Sequence, residues 1–68
     1  MRLQTGYVKF FNPTEGIGLI SPNSGGDDIF VNRKAIATST KLLEEGQRVE
    51  FSTQRSSRGL VASDVIVF

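Results

Sequence analysis

Residues 4–13 read Gln4-Thr5-Gly6-Tyr7-Val8-Lys9-Phe10-Phe11-Asn12-Pro13. Aromatic and β-branched side chains crowd this stretch, and Asn12-Pro13 closes it, because proline cannot donate to a strand ladder. It reads as a strand over residues 4–12. Gly6 sits inside it, where glycine weakens an ordinary strand, and so marks a bend or a close backbone approach at a barrel corner. Similar runs follow. Residues 17–21 are closed by Pro22-Asn23 and Gly25-Gly26, and residues 28–32 form the third run. Residues 33–37 are expected to make one helical turn, followed by a polar loop through Thr38, Ser39 and Thr40. Residues 41–45 are read as a turn or a single helical turn cut short by Gly46. Residues 48–53, with Val49 and Phe51 two apart, give the fourth strand. Ser56, Ser57 and Gly59 make the next turn, and residues 60–68 give the fifth strand. Five short strands separated by turn clusters, with no long helix, predict an all-β fold, a five-stranded Greek-key barrel.

The chain has 68 residues, which is enough for one domain spanning residues 1–68. A domain of that size buries only about 60% of the surface of its unfolded chain, so its core is thin. With no cysteine, neither a disulfide nor a thiolate zinc site can reinforce it. Apolar residues make up 38% of the chain and fall in patterned runs, which argues against disorder. No apolar stretch approaches the ~20 residues of a membrane helix, and the N-terminus has no signal-peptide core. A soluble protein of the cytoplasm, with no membrane partner, is the expectation. The net charge is +1 and the sequence pI is near 8.2, below the value of about 9 that marks strongly basic nucleic-acid binders. Charge alone does not point to nucleic acid.

Side chains on a strand alternate between its two faces. If Val8, Ile20, Ile29 and Val31 form the core, then Ile17, Leu19 and Phe30 point outward together. Strict alternation adds Tyr7, Lys9 and Phe11 to that outer face, whereas a local bulge would place Phe10 there instead. An apolar outer face with aromatic and basic residues suits unstacked bases, since rings stack on bases while cations meet phosphates. The pattern leaves a second reading open, in which Phe10, Phe11 and Phe30 are simply core in a domain short of core. Phe51 and Phe68 are read as core or edge packing.

Other motifs carry less. Gly16-Ile17-Gly18 lacks the third glycine of a dinucleotide loop, and no βαβ unit follows it. Asp27-Asp28 and Glu44-Glu45 are neighbours that point apart on a strand, and the chain has no histidine. Asp28 is read instead as a turn residue or an acceptor for a base. The serine-rich stretches lack a base for a hydrolytic triad. No catalytic residue, metal site or cofactor is expected, and the protein is read as a non-enzyme.

Several stretches resemble the cold-shock domain family. Gly6-Tyr7-Val8-Lys9-Phe10-Phe11-Asn12 is similar to its opening Gly-x-Val-Lys-Trp-Phe-Asn. Glu15-Gly16-Ile17-Gly18-Leu19-Ile20 resembles its first ribonucleoprotein motif, Lys-Gly-Phe-Gly-Phe-Ile. Asp28-Ile29-Phe30-Val31-Asn32 resembles the second, Asp-Val-Phe-Val-His. Ala35-Ile36, the run Leu43 through Phe51, and Arg58-Gly59 with Ala62 and Val65 match in order. The resemblance implies an OB-type barrel that binds single-stranded RNA or DNA, acting as an RNA chaperone or a modulator of transcription or translation.

All but one of the departures fall at positions where that family places its rings. Phe10 stands for the first-strand Trp and keeps a stacking surface. Ile17 and Leu19 stand for two Phe and lose the π face. Glu15 reverses a lysine. Asn32 replaces the His, and Arg33 replaces the aromatic after it with a planar guanidinium that can stack or pair with phosphate. The loop aromatic is missing between Thr38 and Leu42. The resemblance therefore implies a shorter, weaker track centred on Lys9, Phe10, Phe11, Phe30 and Arg33, with Ile17, Leu19 and Asn32 contributing and Tyr7 and Arg58 flanking. The competing reading is an interaction module whose aliphatic-enriched face meets a protein or a second copy of itself. A monomer is the expected form, with a homodimer as the alternative.

Overall fold

The computed structural model describes residues 3–57 and 59–68. The candidate Arg58 lies outside the described residues. Among the described residues the chain forms strands β1 (Gln4–Asn12), β2 (Ile17–Pro22), β3 (Ile29–Asn32), β4 (Arg48–Ser56) and β5 (Gly59–Val67), with a 3-10 turn at Arg33–Ala35. They close into a barrel in the order β1-β2-β3-β5-β4, with β1 also paired to β4. All pairings are antiparallel except β3 with β5, which is parallel and registers Phe30 with Val61.

The β4 strand runs further than expected, through Gln54, Arg55 and Ser56. It is continued by hairpin pairing to β5 and by the Ser56 hydroxyl, which donates to the Gly59 carbonyl at 2.8 Å. Residues 41–44 carry no helical turn. Lys41 instead has φ +57°, and Leu43 plugs into the core.

Inward-facing residues of every strand meet in one apolar cluster that includes Val8, Ile20, Ile29, Val31, Val49, Phe51, Ala62 and Val65, with Ile36 and Leu43 closing it. Burying one such side chain contributes about 1.5–3 kcal/mol, and so few of them hold the domain that each matters. Gly6 makes the expected close approach, since a Cβ there would collide with the backbone carbonyl of Ser21 on β2.

Two bulges set which residues face out. On β1, Val8 pairs with Ile20 and Phe10 with Leu19, so Lys9 is the extra residue. On β5, Glu50 pairs with Ile66 and Ser52 with Ser63, so β5 carries the extra residue, and Asp64 adopts φ +53° there. That offset lets Ala62 and Val65, three apart, both turn inward.

The bulge on β1 overturns one expectation. Phe11 does not belong to the outer face. It is 7% exposed and joins the core, whereas Phe10 is 44% exposed. The physical reason lies on the other side of β1. The Val8 amide donates to the Gln47 carbonyl and the Val8 carbonyl accepts from the Gly46 amide, each at 2.8 Å, which fixes Val8 while the β2 ladder resumes at Phe10. Phe68 is a second correction. It is not packed but 70% exposed, at the end of the sheet opposite Arg48, whose carbonyl accepts from its amide.

Candidate nucleic-acid interface

Strand register assembles the surface. Phe10 on β1 stands opposite Leu19 on β2, Leu19 opposite Phe30 on β3, and Phe30 opposite Val61 on β5. These four residues form one outward row across four strands. Phe30 is 41% exposed, and Leu19 and Val61 are half-buried. Neighbouring strands lie about 4.8 Å apart, so the backbones carrying the two rings are about 10 Å apart, with Leu19 between them. The next row is Asn12–Ile17–Asn32, again with an aliphatic residue in its centre.

The register thus brings together Phe10, Ile17, Leu19, Phe30 and Asn32. Lys9 projects beside them from the bulge. Tyr7 is exposed but stands apart, opposite Ser21 on one side and Arg48 on the other. Val61, and the exposed Leu60 before it, extend the apolar surface onto β5. Sequence reasoning missed both, because only the parallel β3–β5 register reveals them.

The polar groups are largely committed. The Lys9 ammonium pairs with the Asp28 carboxylate at 2.9 Å. Asp28 therefore neutralises the central cation of the face. That hydrogen bond, reinforced by the charge of Asp28, raises the Lys9 pKa above the ordinary lysine value. The folded state holds this proton more tightly than the unfolded chain, so the pair's stabilisation is present at neutral pH. It is lost as pH rises through the elevated lysine pKa. Asp28→Asn is expected to return the Lys9 pKa toward its ordinary value, as read by an NMR titration of the side chain, with little change in fold stability because the pair is exposed.

Arg33 follows β3 and lies back over the β1–β2 turn. Its Nη2 donates to the Thr14 carbonyl at 3.3 Å and its amide to the Gly16 carbonyl at 2.7 Å. Gly16 has φ +72°, and a Cβ there would run into the Arg33 guanidinium, so glycine is required both for the turn and for the seating of this side chain. The Asn12 side chain braces the same turn by accepting from the Thr14 and Glu15 amides. The Asn32 side-chain oxygen Oδ1 caps the 3-10 turn by accepting from the Lys34 backbone amide at 3.0 Å, which leaves the side-chain N–H groups to donate outward.

Comparison with known proteins gives this surface a context. The domain described as 'Cold-shock' DNA-binding domain matches residues 4–68. The chain belongs to the cold-shock domain family. That family consists of nucleic-acid-binding proteins that are not enzymes. The cold shock protein CapB of Pseudomonas syringae pv. tomato is 49% identical over 65 residues, covering 94% of this chain and 93% of that protein. The cold shock-like protein CspA of Shewanella violacea is 46% identical over 63 residues, covering 91% and 90%. Among solved structures, drosophila Unr CSD456 superposes with a TM-score of 0.84 at 15% identity, covering 98% of this chain and 27% of that one. The OB-type barrel expected from the sequence is the fold observed. Ile17 and Leu19 occupy the centres of its two outward rows. No helix among the described residues is long and apolar enough to cross a membrane.

Proposed function

We propose that this cold-shock domain binds single-stranded RNA or DNA across the Phe10–Leu19–Phe30–Val61 row, with weakened stacking, and serves in the cytoplasm as an RNA chaperone or a modulator of transcription or translation. The observation that carries this reading is the row itself, with two half-exposed rings on neighbouring apolar ground and Lys9 projecting beside them. Every base has a π face, so such a row accepts bases with little regard to sequence. Ile17 and Leu19 exclude water from the centre of the track but forgo the stacking of about 1–3 kcal/mol per base that a ring contributes. Holding a strand open shifts the folding equilibrium of RNA by mass action, so no nucleotide hydrolysis is required.

Titration of fluorescent oligonucleotides at several salt concentrations tests the reading. With roughly two to four phosphates neutralised, the logarithm of affinity is expected to fall with the logarithm of salt at a slope of about −1.4 to −2.8. Absence of saturable binding even at low salt overturns it. In Asp28→Asn, Lys9 is released from its partner, and the slope is expected to steepen by up to about 0.7 with tighter binding at low salt.

A further inference from the structure

Where β3 meets β5 the barrel wall opens into a groove, bounded on one side by Lys34 and Lys41 and on the other by Gln54, Ser63 and Asp64, with Phe30 at its mouth. Phe30 also belongs to the ring-bearing row, so groove and row form one continuous surface. The Lys41 ammonium is held at the groove by donating to the Ile36 carbonyl at 2.9 Å, which fixes the cation and leaves two of its N–H groups unspent. Lys34 is exposed and has no ion-pair partner among the described residues. Two cations on one wall favour an anionic, oxygen-rich group over an apolar ligand.

We propose that this groove takes the sugar–phosphate backbone of the strand as it leaves Phe30, with Lys34 and Lys41 pairing with successive phosphates. The inference rests on the single-strand reading of the ring-bearing row and adds an exit path to it. Asp64 on the far wall repels phosphate, so the backbone follows the lysine side. The chain thereby uses fixed charge in a loop that carries no aromatic residue between Thr38 and Leu42.

The test compares oligothymidylates of about four and about eight nucleotides, within the span that one such barrel covers. Lys34→Gln and Lys41→Gln are each expected to lower the salt slope for the longer strand by about 0.7 and to leave the shorter one unchanged, while Lys41→Arg retains the wild-type slope. Phe30→Ala is expected to weaken both lengths at an unchanged slope. If the wild type binds both lengths but neither glutamine variant alters the slope for the longer one, the exit path is wrong and the ring-bearing row stands. If the wild type binds neither length, the single-strand reading fails and takes the exit path with it. Should Lys41→Gln disturb its loop, as seen by thermal unfolding, Lys34→Gln decides alone, because its ammonium has no ion-pair partner in the described fold.

Discussion

Phe51→Ala is expected to leave most of the chain unfolded in mild urea. Phe51 is fully buried on β4, opposite Gln4 of β1, in the middle of the apolar cluster. Removing a core phenylalanine costs about 3–5 kcal/mol, from lost transfer energy and the cavity left behind. A domain of this length has a total stability of roughly 3–10 kcal/mol. The substitution therefore removes a third of that stability at the least and all of it at the most. Urea unfolding followed by circular dichroism measures the change. Because a small domain loses about 1 kcal/mol per molar urea, the midpoint is expected to fall by about 3 M or more. Phe68→Ala, at a 70% exposed position, is expected to shift stability by less than about 0.5 kcal/mol. A small effect at Phe51 would mean that the barrel is held together elsewhere.

The second large effect concerns binding. Phe10→Ala and Phe30→Ala are each expected to weaken oligonucleotide affinity by about 1–3 kcal/mol, or roughly 5- to 150-fold. Their backbones are about 10 Å apart, so the two losses should nearly add in the double variant. Both rings are half-exposed, and the fold is expected to tolerate their removal far better than that of Phe51. Oligomeric state is followed by sedimentation in the same samples. Loss of binding by an unchanged monomer supports the single-strand reading, and dissociation of a dimer with unchanged oligonucleotide affinity supports the interaction module instead. Phe11→Ala separates the roles of adjacent rings, since that side chain is core and its loss acts on stability.

The five strands are legible in the sequence because alternation and turn residues are local signals. Asn12-Pro13, Pro22-Asn23 and Gly46 each end or precede a run without reference to the rest of the chain. The choice between Phe10 and Phe11 is not local. It depends on the hydrogen bonds of Val8 to Gly46 and Gln47, residues far along the chain that β1–β4 closure brings alongside. The same holds for the neutralisation of Lys9 by Asp28, which lies nineteen positions away, and for Val61, whose place beside Phe30 follows from the parallel pairing. The apolar character of Phe68 suggests packing, yet no strand or loop of the described fold covers the end of the sheet on which it stands.

The lone parallel junction of the barrel has a consequence for motion. Between β3 and β5 the register holds at Phe30 and Val61, supported by the bridge from Ile36 to Val65 and the bond from the Ala37 amide to the Val65 carbonyl. With few cross-links, the cylinder is expected to open here at lower free energy than along its long hairpins. One of the two half-exposed rings of the platform is mounted on that hinge line. A strand lying over Phe30 and Val61 would staple the two edges together, so occupancy of the surface and closure of the cylinder become a single coupled equilibrium.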